Sequence, residues 1–411
     1  MKAGNKGINV LVITHHFPPE VNGTATRIYE IIKALQNMNL NLKFFVVAPP
    51  PVRPFGKFPI TFKFLNKNLS RDNSVLVIQV WSYQPKSSSP NFIERILNYL
   101  LFPILSLPII IGLSLVSKVV ITVTPPTPIY FTTLFVKMLG KKVIVDVTDL
   151  WHEEAEGLGY IRYSIFLILS RGLELLSLKM SNLVTVTSYV LAKFVKNITD
   201  YKKSIFVLPT PFDKSIIVRC NKDDRLQEDN LIIYTGNFGK PQALHLAVKA
   251  LSILNSEGHG NKIRLLLIGG GEEEEHLRHL IQKLSINNVT ILQPVSRDVL
   301  FDKFINKATI GLVPLAFNKA LVYALPTKLF EYLACDLPYL SYGSSLELKH
   351  FTLKFKAGLH VDVKDEHTIA KAIKYIIEHK QSFSINTQKA FNAFMSHSYD
   401  SLKEIIKVIE K

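Results

Sequence analysis

Short apolar runs alternate with longer amphipathic stretches along the whole chain. In the first half, runs rich in Val, Ile, Leu and Phe predict strands at 8–14, 42–48, 75–80, 119–123, 142–147, 183–187 and 205–208. Helical periodicity between them predicts helices such as 26–36 and 163–179. The second half restarts the pattern at 231–234, 264–268, 289–292, 309–314, 339–341 and 358–361. Near-continuous apolar strands alternating with helices imply parallel sheets covered on both faces. The polar stretch 213–230 is the natural break. The expected fold class is therefore α/β, with two doubly wound Rossmann-like domains facing across a cleft. The first would take residues 1–212, a linker 213–230, and the second 231–392, with a C-terminal helix at 393–411. In that last helix Leu402, Ile405, Ile406 and Ile409 share one face.

One segment competes with this picture. Residues 100–116 carry no charge, yet Pro103 and Pro108 interrupt them. A span needs about 20 apolar residues, and two prolines would cost it backbone bonds inside lipid. A helix buried against the sheet is the first expectation. A membrane-dipping or surface-lying helix is the second, and a span the third.

Bulk composition narrows the class. A chain of 411 residues exceeds one ordinary core. With 47% hydrophobic and 20% charged residues it is globular. Cys220 and Cys335 alone offer neither a disulfide framework nor a multi-cysteine zinc site, which fits a reducing compartment. The apolar run 8–13 has strand length and is too short for a signal-peptide core, so no export signal is expected. The net charge of +16 is uneven: residues 1–100 hold 12 Lys/Arg against 4 Asp/Glu. Residues 53–71 carry five cations and no acid among Phe55, Phe58, Phe62 and Phe64. That mixture suits a phospholipid surface, single-stranded nucleic acid or a solvated basic loop. No RNA-binding signature, zinc finger or helix-turn-helix spacing accompanies it. An anionic membrane surface is the expected partner, and nucleic acid is not.

Candidate chemistry sits where strands end. Pro326 to Ala334 follow the apolar run 310–314 and predict a helix opening. Lys328 and Glu331 lie three apart on one face of it. A helix start with a lysine attracts phosphate, and a carboxylate one turn on accepts from neighbouring hydroxyls. Phosphate plus diol is what a sugar nucleotide presents; a solvated ion pair on an ordinary helix is the plain alternative. After the first strand come His15-His16-Phe17-Pro18-Pro19-Glu20, then Gly23 and Arg27. Open α/β sheets bind ligands at such carboxyl ends, and Gly23 permits close backbone approach. Gly236-Asn237-Phe238-Gly239-Lys240 and Gly269-Gly270-Gly271 follow the second half's first two strands. Glu272 to Glu275 would repel a diphosphate, so the Gly269 and Gly270 loop is assigned to base and ribose, and the phosphates to Lys328 and Lys240. Asp149 follows the 142–147 strand as a candidate grip on acceptor or sugar, or as a helix cap. No Asp-x-Asp pair occurs in the chain, so lysines and helix dipoles would have to neutralise phosphate charge without a metal.

These blocks together resemble the family-4 (group 1) retaining glycosyltransferases of the GT-B fold, over nearly the whole chain. Phe17-Pro18-Pro19-Glu20 with Gly23, Asp149-Leu150-Trp151, Gly236-Asn237-Phe238-Gly239, Gly269-Gly270-Gly271 and 326–334 fall in the family's order. The last block is most similar to the branch that builds surface polysaccharides with N-acetylated amino sugars. The resemblance implies transfer of a hexosyl or N-acetylhexosaminyl group from a nucleoside-diphosphate sugar to a lipid-linked or glycan acceptor, and the basic-aromatic stretch 53–71 with the uncharged segment 100–116 adds the expectation of peripheral attachment to the cytoplasmic membrane face. It implies a UDP-sugar ahead of a GDP-sugar, and no cofactor. Asp149, Lys328 and Glu331 would be catalytic. Gly23, Gly236, Asn237, Lys240, Gly269, Gly270, Val295, Thr327, Lys328 and Glu331 would bind the donor. His16, Arg27, Asp149 and Trp151 would bind the acceptor. The C-terminal helix would cross back to the first domain. Three departures stand out: Tyr323 replaces the first of two glutamates, Asn237 and Gln242 an Arg and a Lys, and Thr148 a histidine. They leave a silent membrane-recruiting subunit open as an alternative, alongside a sugar-nucleotide epimerase on the same fold.

Overall fold

The computed structural model describes residues 7–20, 22–39, 41–53, 55–56, 58–69, 74–87, 90–150, 164–199, 204–212, 220, 230–259 and 262–411. The chain forms two compact units, Met1–Pro211 with His397–Lys411, and Phe212–Ser396. Most of the linker expected at 213–230 lies outside the described residues.

The first unit holds strands β1 (Ile8–Ile13), β2 (Leu42–Ala48), β3 (Leu65–Leu69), β4 (Val75–Val80), β5 (Val119–Thr124), β6 (Lys142–Val147), β7 (Leu183–Val186) and β8 (Ile205–Val207). They form one sheet in the order β3-β4-β2-β1-β5-β6-β7-β8, parallel except for β3. Val10 pairs with Phe44 on one side and Val119 on the other, so the strand order reverses at β1 and β5. Val10 through Ile13 are fully buried, which explains an apolar run without alternation. Helix α1 (Gly23–Met38) packs Ile28 and Ile32 into the same core as Leu402, Ile405 and Ile409 of the chain's end. Ser398 Oγ and Ser401 Oγ donate to the carbonyls of Pro209 and Val207, 2.8 and 2.7 Å away. Helices α2 (Phe92–Val116), α3 (Tyr130–Met138) and α4 (Ser164–Met180) lie side by side, α2 and α3 against the strands. Helix α5 (Tyr189–Ile198) precedes β8.

The second unit is a wholly parallel sheet of β9 (Leu231–Asn237), β10 (Arg264–Gly270), β11 (Val289–Leu292), β12 (Ile310–Pro314), β13 (Tyr339–Tyr342) and β14 (Gly358–Val361). Its order, β11-β10-β9-β12-β13-β14, is the doubly wound 3-2-1-4-5-6 arrangement. Helices α6 (Leu244–Leu254), α7 (Glu274–Lys283), α8 (Arg297–Lys303), α9 (Lys328–Ala334), α10 (Leu346–Phe355) and α11 (Glu366–Glu378) follow the strands. Ile232, Leu251, Leu267, Leu312, Leu340 and Ile373 share its core. Helix α12 (Lys380–Glu410) is continuous for 31 residues, and its last part belongs to the first unit. Both units are Rossmann-like.

Four expectations change. Within 53–71 the structure forms β3, an antiparallel edge strand with Lys67 opposite Ile78. Edge strands need no continuous apolar run, and polar side chains there blunt edge-to-edge pairing. Helix α2 starts at Phe92 and runs through both prolines with only one stripe buried. Cys220 and Cys335 form a disulfide across 115 residues, with Cα atoms 4.8 Å apart, tying the segment before β9 to the end of α9.

The fourth change is Arg27, which is not placed to bind an acceptor. It is buried on α1, with Nη2 and Nε 2.7 and 2.9 Å from the Asp146 carboxylate and Nη1 3.2 Å from Thr210 Oγ1. Asp146 Oδ1 also accepts from Thr185 Oγ1 at 2.6 Å. A bidentate, buried pair with a further bond from Nη1 to Thr210 locks α1 to β6 and β7. Removing one partner leaves an uncompensated buried charge, costing about 3–5 kcal/mol. Arg27→Met should therefore lower unfolding stability by that order in chemical denaturation, and Arg27→Met with Asp146→Leu should recover most of it. An unchanged midpoint in the single variant would refute the pair's role.

Candidate functional site

In the second unit the candidates gather at the carboxyl ends of β9 and β12, where the strand order reverses. Strand β9 continues past its apolar run through Thr235, Gly236 and Asn237, and β10 through Gly269 and Gly270. Gly236 pairs with Gly269. A Cβ on Gly269 would lie 1.8 Å from the Gly236 carbonyl oxygen, so this register tolerates only glycine. Phe238 N donates to Gly270 O and Glu273 N to Phe238 O, both at 2.9 Å, sewing the two loops together. Tyr234 Oη donates to Asn237 O at 2.6 Å. Asn237 and Lys240 are exposed on this edge. Two of the acids of 272–275 are engaged locally: Glu274 pairs with Arg278 at 2.9 Å and Glu273 with His276 at 3.1 Å.

Lys328 opens α9 directly after Thr327, and Pro326 sits one residue earlier, its carbonyl accepting from Leu329 N. The Lys328 ammonium lies 4.8 Å from the Tyr234 ring centroid and 3.9 Å from where a Cβ on Gly236 would stand. Burial pushes the amine down to about 8, and Glu331 only partly opposes this. Burial likewise raises the Glu331 carboxyl, opposed by Arg297 and then Lys328. Arg297 Nη2 stands 3.4 Å from Glu331 Oε1. Its guanidinium lies 5.1 Å from the Phe212 ring and 5.9 Å from that of Phe301. Arg297 was not among the residues the sequence singled out. Its signal was its place at the start of α8, just past Val295, which is half-buried on the loop after β11. Tyr323, expected in place of a glutamate of the resembling enzymes, is buried.

The first unit presents a second cluster after β1. Buried Glu20 accepts from Val52 N, Arg53 N, Asn22 Nδ2 and His16 Nδ1, the last at 2.6 Å. Burial alone would raise this carboxyl; His16 and the Val52 N–H outweigh it and hold it below its ordinary range. With Nδ1 bound to Glu20, the His16 ring is fixed in orientation and Nε2 is the nitrogen left to meet a hydroxyl. His15 contacts Asn98 O through Nε2, and burial, with His16 next, pushes it down to about 3, so it stays neutral. Asn22 caps α1 by accepting from Ala25 N at 2.8 Å, with Gly23 as the first helical residue. Asp149 follows β6 on the same edge and accepts from Thr148 Oγ1 at 3.4 Å. Trp151 lies outside the described residues. Glu20 organises this cluster, and its spacing of four from His16 is the signal for it in the sequence. Among the described residues no group of three or more His, Cys, Asp or Glu is placed to hold a metal ion.

Residues 221–392 match the family model for group 1 glycosyl transferases. No curated protein matches the chain. Among solved structures, sucrose-phosphate synthase from Thermosynechococcus elongatus aligns at TM-score 0.74 and 12% identity, over 97% of this chain and 98% of its own. An E. coli trehalose-6-phosphate structure bound with UDP-2-fluoro glucose aligns at 0.69 and 13%, over 98% and 99%. Anabaena HepE in complex with UDP aligns at 0.67 and 12%, over 98% and 100%. At such identities the likeness establishes the fold, that of GT-B proteins.

The lowered Lys328 amine has two consequences of opposite sign. A folded-state value below the ordinary 10.5 means the folded chain resists the proton: the cost is full below about 8 and fades as pH rises toward 10.5. An arriving anion reverses this by favouring the charged amine. Lys328→Met should melt at or above the wild-type temperature at pH 7, yet lose diphosphate binding. Calorimetry should show wild-type affinity for diphosphate highest below about pH 8, falling above it, with proton uptake on binding near that pH. Affinity flat from pH 6.5 to 9.5 would exclude Lys328 from the contact.

Proposed function

We propose that the chain is a retaining glycosyltransferase that moves a sugar from a nucleoside diphosphate to a lipid-linked or glycan acceptor, its second unit being the group 1 domain that takes the donor. The observation that carries this reading is the Lys328 ammonium held beside Gly236, with Glu331 one turn further on and steadied by Arg297. The glycine-lined carboxyl edge of β9 and β10 receives base and ribose. Glu331 accepts from the ribose diol through Oε2, since Oε1 faces Arg297. Lys328 meets the diphosphate. Two neighbours bear UDP or a UDP-sugar in their names, which supports a uridine nucleotide here.

The bond from anomeric carbon to phosphate oxygen breaks as the acceptor oxygen bonds that carbon on the same face. Lys328 stabilises the negative charge gathering on the leaving phosphate. That phosphate takes the acceptor's proton, so no separate protein base is required. His16, oriented by Glu20, and Asp149 hold the acceptor in the first unit. The solved neighbours include sugar-phosphate synthases, so the lipid-linked acceptor rests on the basic-aromatic segment instead, where Phe62 and Phe64 are exposed beside Lys63 and Lys67.

Glu331→Gln should weaken UDP binding by on the order of 1–3 kcal/mol, the scale of a lost charge-assisted hydrogen bond. Unaltered UDP affinity in a correctly folded variant would overturn the ribose assignment, and a wild-type chain that binds no UDP, GDP or ADP would favour the silent-subunit alternative. Turnover should survive EDTA, since Lys328 supplies the countercharge. A loss restored by Mg²⁺ or Mn²⁺ would contradict that.

A further inference from the structure

We propose that the outer face of α2, α3 and α4 is seated in the hydrocarbon boundary of an anionic bilayer, holding the first unit on the membrane without crossing it. This stands apart from the transferase reading, because it concerns a surface and not the chemistry.

The exposed positions of α2 are Ile93, Leu97, Leu100, Ile104, Pro108, Gly112, Leu115 and Val116, spaced three or four apart but for the last pair. They make one stripe on the order of 35 Å long with no polar side chain in it. Ile104 is 55% and Leu115 62% exposed. Beside it, α3 shows Phe131 and Met138, and α4 shows Ile168, Leu169 and Leu176, with Met138 75% and Ile168 68% exposed. The protein-facing sides of these helices carry the polar residues: Asn98, Ser106 and Ser114 on α2, Thr132 and Thr133 on α3, Glu174 and Ser177 on α4, all buried. Most are served from within: Asn98 Nδ2 donates to Tyr83 O at 2.6 Å and Thr133 Oγ1 to Thr122 Oγ1 at 3.0 Å. A water-facing helix has the reverse polarity. Apart from the exposed cations Arg171 and Lys179 on α4, these three adjacent helices turn polar groups inward and apolar groups outward, as suits an apolar surrounding.

Charge and chemistry select lipid. Residues 92–141 and 164–180 contain six cations, Arg95, Lys118, Lys137, Lys141, Arg171 and Lys179. Their two acids are Glu94, which serves the helix cap and Tyr83, and buried Glu174. Cations flanking an apolar face suit anionic headgroups, reached by long side chains. A protein partner would expect about one hydrogen bond per 100–200 Å² of interface, and the α2 stripe offers no side chain to make one. Because α2 also packs on β1, β2 and β4, it lies along the sheet and cannot span.

Flotation of the full-length protein with phosphatidylglycerol–phosphatidylethanolamine vesicles tests the proposal. The wild type should float, and should stay largely bound in 1 M NaCl because the contact is apolar. Ile104→Asp with Leu115→Asp should cut the bound fraction at least tenfold while keeping the thermal transition and diphosphate affinity. The matched pair Leu353→Asp with Ile385→Asp, on exposed positions of the second unit, should float as the wild type does. A wild type left in the aqueous phase, or an Ile104/Leu115 pair that floats equally, would overturn the proposal. So would loss of binding on Lys63→Glu with Lys67→Glu alone, which would assign attachment to β3, or self-association relieved by the Asp pair without vesicle binding, which would assign the face to a second copy.

Discussion

The constraint on which the second unit's site depends is the touching of two backbones, Gly236 on β9 and Gly269 on β10. In a parallel sheet every carboxyl end opens on one edge, and where strand order reverses the connections leave in opposite directions, opening a crevice. Side chains at these two positions would close it. Their absence lets the backbone reach a ligand, and lets the Lys328 amine stand over Gly236 and Tyr234, partly shielded from water. The burial of that amine follows from the sheet.

Lys328 and Glu331 are a destabilised pair by design of their surroundings. Each is buried enough to disfavour its charged form, and each only partly relieves the other. Arg297, beside the Phe212 and Phe301 rings, supplies the third charge. Such a triad is poorly suited to holding a fold together. It is well suited to receiving a ligand that carries both negative charge and hydroxyl donors. Arg27 and Asp146 in the first unit are the contrast: bidentate and buried, with the guanidinium committed to the fold.

What was legible in the sequence follows from how strong an apolar run each element carries. Strands at 42–48, 75–80, 142–147, 289–292 and 358–361 match to the residue because each is rich in Val, Ile, Leu or Phe, the edge strands β11 and β14 included. Strand β3 was missed because Leu65-Asn66-Lys67-Asn68-Leu69 carries no such apolar run. Glycines after strands were legible as a site; that Gly269 and Gly270 are themselves strand residues was not, since glycine has no strand signature. Arg27 was misread because its partner lies 119 positions away, and nothing local separates a buried ion pair from a ligand-binding arginine. Arg297 with Glu331 and Cys220 with Cys335 are long-range meetings of the same kind. Hydropathy flagged 100–116 as uncharged but said nothing of which side would face the sheet.

The α2 stripe has a geometric consequence. A surface with no hydrogen-bonding side chain imposes no registry on what it touches: it fixes depth and tilt but neither position nor heading. A unit attached in this way slides and turns freely within the plane, so its search for anything else confined to that plane becomes two-dimensional. The angle at which the β1 edge meets such a target is set once, by the packing of α2 across β1, β2 and β4.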